Sequence, residues 1–405
     1  MLDGHSAAAL AFTRSLGRAG HWVAVGSNRG IHAPAEVSRY CRTRFRYPIS
    51  TDDASGFIES LVEFARDHPI DLIIPMTDWT VLPLSACRDR FQGVSKLALG
   101  PHSALETSCD KYKTISLAHE LNVSSPETVL VRSLADLRAA QKFTFPAVVK
   151  DRFSARWRGN RAVFGSVTYA YSPDDLRRKA EQRLAQAGDV LVQEFVAGTG
   201  IGFSSLVVKD KLYLPFQWLR VRELDPRGSG SSARKSIPVT PEILESSRAL
   251  IMRAGFQGIS MVEFKRQHGS GRAVLMEING RPWGSLQLPI VSGIDYPRHL
   301  VEWYLQGKLP PSEIAYKQGI TCRRVVGELA HLEHVFAGKP AGWPEPYPSF
   351  LLTLLKISVP WYPGVRYDDV WLSDPRPGVA GLAHWFRHHF EKPKPEPSGT
   401  ASSFR

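Results

Sequence analysis

The segment from Gly258 to Gly284, GISMVEFKRQHGSGRAVLMEINGRPWG, constrains this chain more than any other. Two runs of alternating character, Met261-Val262-Glu263-Phe264 and Val274-Leu275-Met276-Glu277-Ile278-Asn279, flank the turn-forming His268-Gly269-Ser270-Gly271, which predicts a β-hairpin. Side chains alternate faces along a strand, so Val274, Met276 and Ile278 are expected on one side with Val262 and Phe264. Glu263, Glu277 and Asn279 are then expected on the other, with Arg281 just beyond the second strand.

Two carboxylates on one patch repel unless a cation or a shared proton lies between them. Oxygen ligands of this kind suit Mg²⁺, which takes a few carboxylates and fills its shell with water and phosphate oxygens. An adjacent arginine suits a polyphosphate. On pattern alone, a hairpin with a solvated polar face accounts for the same residues.

The chain has 405 residues, enough for two or three lobes. Its net charge is +12, from 51 Lys+Arg against 39 Asp+Glu. The excess is scattered, mostly as arginine, and no nucleic-acid motif accompanies it, so no nucleic-acid partner is expected. Cys41, Cys87, Cys109 and Cys322 are far apart, which argues against a zinc ribbon or a disulfide framework and for a reducing cytoplasm. The apolar run from Phe350 to Val359 is too short for a membrane span, and no signal-peptide pattern opens the chain.

Residues 1–105 alternate helix and strand, with a glycine at the first turn, and predict a doubly wound α/β lobe. Helices are expected at 5–18, 54–67 and 79–90, and strands at 21–26, 71–75 and 97–100. The short lead-in to Asp3 is what a start downstream of the natural one would leave. A second region holds Asp110-Lys111 before a helix, a strand ending at Lys150, an arginine-rich loop over 151–161, a helix over 173–187 and a strand ending at Glu194-Phe195-Val196. A long Gly/Ser loop is expected over 220–235, in which Arg220, Arg222 and Arg234 are candidates for gripping a substrate carboxylate or simply members of a mobile solvated loop.

These pieces, in this order, resemble the ATP-grasp superfamily, in which a Glu on one strand precedes an E-x-N-x-R on the next. Glu263 followed by Glu277-x-Asn279-x-Arg281 matches that signature. The phrase Glu277 to Gln287 is similar to a subgroup of predicted carboxylate–amine ligases related to D-aspartate ligases. The resemblance covers 106–320 directly and implies a pre-ATP-grasp domain at 1–105. It divides 106–320 into a lid-bearing lobe at 106–195 and a metal-binding lobe at 196–320. A mostly helical appendage at 321–390 and a disordered tail at 391–405 complete the expected α/β architecture, α+β in its catalytic part.

The resemblance also implies roles. Glu263, Glu277 and Asn279 would hold Mg²⁺ or Mn²⁺, and Lys111 and Lys150 would meet ATP phosphates. Arg156 and Arg158 would stand in for a glycine-rich phosphate loop. Glu194, Phe195 and Val196 would hold adenine, and Arg281 with Lys150 would act in catalysis. The implied reaction is activation of a carboxylic acid as an acyl phosphate, with release of ADP, followed by transfer to an amine. A bicarbonate-activating enzyme and a non-catalytic ATP-binding module are the alternatives. Small-molecule carboxylate and amine partners follow, and a homodimer is left open. On Glu328 to His334, two histidines at i, i+3 lack a third ligand, so no metal is expected there.

Overall fold

The computed structural model describes residues 1–390, without the side chains of Arg156, Arg158, Val163, Phe164, Ala187 and residues 388–390. The tail expected at 391–405 lies outside the described residues, as do the phosphate-contacting side chains expected at Arg156 and Arg158.

The N-terminal lobe runs α1 (Ala7–Arg18), β1 (Ala24–Asn28), β2 (Thr43–Tyr47), α2 (Ala54–Asp67), β3 (Leu72–Ile73), α3 (Asp78–Ala86) and β4 (Lys96–Leu97). β1 pairs with β2 and β3 with β4, both in parallel. Met1–Gly4 joins the two pairs: the Leu2 amide donates to Ile74 O at 3.0 Å and the Gly26 amide to Met1 O at 2.7 Å. β1 begins later than the strand expected at 21–26, because Trp22, 52% exposed, stays outside the sheet. Asp3 is buried, yet its carboxylate accepts from the Met76 and Thr77 amides and from Thr80 Oγ1. An anion at these amides fixes the start of α3, and with it the position of Asp78.

The next lobe comprises α4 (His102–Cys109), α5 (Lys111–Glu120), β5 (Thr128–Val131), β6 (Ala147–Asp151), β7 (Ala155–Arg158), β8 (Arg161–Phe164), β9 (Val167–Ala170), α6 (Pro173–Ala187) and β10 (Val190–Glu194). Its four-stranded sheet has the order β5-β10-β6-β9. Asp110 caps α5 by accepting from the Tyr112 and Lys113 amides, which sets Lys111 at the first helical position. The loop expected over 151–161 is instead the start of a hairpin, β7–β8, turned at Gly159 with φ 61°. Its tip rests on the N-terminus of α2, where Asn160 Oδ1 accepts from the Ser55 amide at 2.9 Å.

The third region contains β11 (Gly198–Val208), β12 (Lys211–Glu223), β13 (Ser231–Ile237), α7 (Pro241–Arg253), β14 (Gly258–Gln267), β15 (Ala273–Asn279), α8 (Gln287–Ser292) and α9 (Tyr296–Gln306). It is completed by β16 (Thr321–Arg323), α10 (Val325–Phe336), α11 (Phe350–Ser358), β17 (Val365–Tyr367) and α12 (Arg376–Phe390). A seven-stranded sheet in the order β15-β14-β11-β12-β13-β16-β17 spans it. The segment after 320 is mostly helical, as expected, but its two short strands extend this sheet rather than forming a separate body. The expected loop over 220–235 shrinks, because β12 runs on to Glu223 and β13 begins at Ser231. One sheet face packs on α7 through Phe203, Val262, Phe264, Leu275 and Ile278, with Ile243 and Leu250 opposite.

Candidate active site

The hairpin of β14 and β15 forms as the sequence predicts, with one correction. Val262 faces Ile278 and Glu263 faces Glu277, but Phe264 faces Leu275, so Met276 is a bulge. The bulge reverses the alternation. Val274, expected among the core residues, lies opposite Lys265 on the face that carries the glutamates, and Leu275 replaces it in the core. Bulges beside functional sites re-aim side chains in this way.

Glu263 and Glu277 are therefore cross-strand neighbours on one face. Asn279 donates from Nδ2 to Glu277 Oε1 at 2.8 Å. Burial pushes the Glu263 carboxyl up to about 7; Arg220 opposes this shift and Glu277 adds to it. Arg220 donates to Glu263 Oε2 at 2.5 Å and also reaches Ser229 O and Glu223. Although burial works against its charge, Glu263 and Glu223 hold Arg220 above the ordinary arginine range.

Cationic groups approach the same patch from the lobe that carries α5 and β6. Lys150, on β6, is 8% exposed. Burial, reinforced by Lys111 and partly offset by Glu277, lowers its pKa to about 7. Burial also lowers Lys111, against the charges of Glu277 and Asp78, and its ammonium donates to Ser154 Oγ at 3.0 Å. Arg281 grips Asp78 of the N-terminal lobe through Nε at 2.8 Å and a terminal nitrogen at 3.0 Å. Lys111, Lys150, Glu263, Glu277, Asn279 and Arg281 thus converge, with Asp78, from three regions of the chain.

The donor set fits a divalent cation of the Mg²⁺ type. Two carboxylates face one another, that of Glu263 pushed up by burial, and Asn279 can present its oxygen by an amide flip. Among the described residues no group of three or more His, Cys, Asp or Glu side chains forms a ready-made metal cage. A set that small suits an ion taking its other ligands from phosphate and water.

At the strand end after β10, Glu194 accepts from the Glu127 amide at 3.0 Å through Oε1, so its side chain braces β5. Val196 O accepts from Lys265 Nζ at 3.0 Å. The Lys265 ammonium lies 5.3 Å from the centre of the Phe195 ring, and Trp343 packs edge-on to that ring at 5.1 Å. From here a cleft of about 770 Å³ extends over Gly200, Arg220 and Arg222 to His331 and Lys356.

The three candidate substrate arginines separate. Arg220 and Arg222 line the cleft, although Arg222 is already engaged by Glu328 at 2.8 Å. Arg234 does not belong with them: it is 1% exposed, on β13, and its guanidinium is bound by Asp368. Assigning it to a loop misplaced it, since a strand position sends this side chain into the protein. His331 bonds Glu223 O through Nδ1. The residues sequence reasoning missed are Asp78, Lys265 and Trp343. Asp78 had a signal, lying just past a strand end of a doubly wound lobe, where ligand-facing residues gather. Trp343 had none.

Comparison with known proteins agrees with this architecture. The family described as "ATP-grasp in the biosynthetic pathway with Ter operon" matches residues 189–327. No curated protein matches the chain. Among solved structures, an L-amino acid ligase from Bacillus licheniformis is similar at 15% identity and TM-score 0.58, over 76% of each chain. The biotin carboxylase domain of Hydrogenobacter thermophilus 2-oxoglutarate carboxylase, solved with MgADP, ADP and bicarbonate, aligns at 14% identity and TM-score 0.62, over 79% of this chain and 72% of that one. The N5-carboxyaminoimidazole synthetase of Staphylococcus aureus, solved with ADP, aligns at 14% and 0.58, over 78% and 79%. With the family match centred on the glutamate hairpin and the surrounding lobes in the same arrangement, residues 189–327 are similar to that ATP-grasp family and the chain has the fold of these ATP-grasp-like structures.

Proposed function

We propose that the protein is an ATP-dependent carboxylate–amine ligase. The observation that carries this reading is the facing pair Glu263 and Glu277, set beside the buried Lys150 and the half-buried Lys111, whose charged forms burial disfavours. A polyphosphate supplies the missing negative charge, and Mg²⁺ (or Mn²⁺), when bound by Glu263, Glu277 and Asn279, offsets charge on the β- and γ-phosphates. Lys111 and Lys150 hold phosphate oxygens. Phe195 and the backbone of Glu194 and Val196 offer an apolar wall and edge hydrogen bonds to adenine.

A substrate carboxylate oxygen attacks the γ-phosphorus, and the bond to the β-phosphate oxygen breaks to release ADP. The amine then attacks the acyl carbon, and phosphate departs with the electrons of the C–O bond. Arg281, kept charged and oriented by Asp78, stabilises negative charge developing on the transferring group. Arg220 and Arg222 face the cleft where the carboxylate substrate would lie. In that role Arg220 would have to release Glu263, since a bound metal would need the same carboxylate.

The bicarbonate reading draws support from the carboxylase and synthetase neighbours, which share the fold. A screen separates the two. Purified protein with MgATP is offered carboxylic acids, amino acids and bicarbonate, with and without amines, while ADP release and product mass are followed. The ligase reading predicts ADP release that depends on an organic acid, together with an amide product. A carboxylated product supports the alternative, and nucleotide binding without turnover under every condition leaves only a binding module.

A further inference from the structure

α11 is inverted relative to an ordinary surface helix. At 100° per residue, Phe350, Leu351, Leu352, Leu354 and Leu355 sweep an arc of about 200°. All of them face solvent, with Leu351 63%, Leu352 57% and Leu355 58% exposed. The residue α11 buries is Thr353. Nor do the leucines hold the helix in place. Arg323 does so at the C-terminal end, donating to Ile357 O at 2.8 Å and Val359 O at 2.7 Å, while Phe350 meets Phe336 at the other end. A cation there also complements the helix dipole. Nine residues are too few for a helix to persist on intrinsic propensity, so the fold fixes this segment with its apolar side outward. Trp361, 67% exposed, and Tyr362, 41%, continue the surface. An apolar patch of this extent marks a contact site.

We propose that this surface docks on an anionic phospholipid bilayer, with α11 lying in the interfacial plane. Charge selects that occupant. From residue 346 to 367 the chain contains no acidic residue, and its charged side chains are Lys356 and Arg366, both exposed. Leucines that enter the acyl boundary, aromatic rings at its edge and cations reaching headgroups form the pattern of interfacial helices. A second copy of the chain fits less well: a twofold contact through α11 sets Lys356 near its counterpart with no acid to neutralise either. The C-terminal residues 391–405 carry one large apolar side chain, Phe404, and so offer little apolar area to such a patch. Thr353, Lys356, Val359 and Tyr362 also line the cleft described above. The helix therefore stands between the docked face and that cleft, a placement whose bearing on substrate rests on the ligase reading.

Flotation of the full chain with phosphatidylcholine vesicles, alone or with about 30% phosphatidylglycerol, tests the docking. The protein is expected to float with the anionic vesicles and to be released by salt. Leu351→Ser with Leu355→Ser should lower partitioning on the order of tenfold or more, and Lys356→Glu should lower it on anionic vesicles. The double variant should keep the wild-type melting temperature and the thermal shift induced by MgATP. Absence of flotation, or wild-type flotation by the double variant, overturns the proposal. So does a wild-type dimer that the double variant converts to monomer, which would assign the patch to a second copy. The MgATP shift is read without vesicles, so failure of docking and failure of nucleotide binding are distinguished.

Discussion

The two ends of the seven-stranded sheet both bury charge, and they do so differently. At the β13–β16–β17 end, Arg234 meets Asp368, and Cys322 Sγ also donates to Asp368 at 3.1 Å. Nearby, Arg14 and Asp374, 0% and 1% exposed, pair at 2.9 Å and tie the C-terminal segment to the N-terminal lobe. There each cation has its anion. At the β14–β15 end the balance fails: Lys150 and Glu263 are both driven to about 7, toward their neutral forms. A buried charge that is fully paired belongs to the scaffold, whereas one held in deficit awaits a ligand.

The most severe test of that contrast is Glu277→Gln. It keeps the shape and the contact with Asn279 while removing one of the two facing charges. Mg²⁺-dependent ADP formation should fall by at least about 10²-fold, with unfolding free energy changed by no more than about 1 kcal/mol. Steady-state ADP release and urea titration read the two quantities. Full activity would mean that the β14–β15 end is scaffold after all.

The opposite end should answer oppositely. Asp374 accepts from Arg14 Nε, from Ser38 Oγ at 2.7 Å and from the Arg39 amide at 2.9 Å. Asp374→Ala leaves Arg14 buried without its anion, and breaking such a pair typically costs about 3–5 kcal/mol. The urea midpoint should drop accordingly. At a temperature where the variant is still folded, its affinity for MgATP should match the wild type, because nothing in this cluster reaches the nucleotide side. A weakened nucleotide affinity with an unchanged midpoint would blur the distinction between the two ends.

How much of this was legible in the chain follows the same division. The glutamate hairpin could be read because apolar and polar residues alternate on both sides of a Gly/Ser turn, a period that fits a half-buried strand and not a helix. Lys111 could be read because Asp110 marks a helix start. α6 appears with the predicted ends, since Ser172-Pro173 and Gly188 punctuate it. The bulge at Met276 was not legible: no Gly or Pro marks it, and it becomes apparent only from the register against β14. Arg234 was misplaced because Gly228 to Ser232 looks like loop along its whole length, while Ser231 and Ser232 already pair within the sheet or lead into it. Pairing across long sequence separations, as in Arg14 with Asp374, leaves no local trace.

The smallest predicted effect is the one that bears most directly on the charge deficit. Without nucleotide, the folded chain holds Lys150 near 7 against an ordinary 10.5. Between those values the folded state binds fewer protons than the unfolded state, so this lysine makes stability rise with pH across the window. Phosphates favour the charged lysine and reverse the trend: the thermal shift produced by a non-hydrolysable ATP analogue should be largest below about pH 7 and should shrink above it. Lys150→Met should reduce the shift at pH 6.5 and flatten its dependence on pH, because methionine can accept no proton when phosphate arrives. A wild-type shift that is equally large at pH 6.5 and pH 9, measured by thermal melting in buffers of matched ionic strength, would mean that Lys150 is charged before nucleotide binds. The contrast between the two ends would then rest on the glutamates alone.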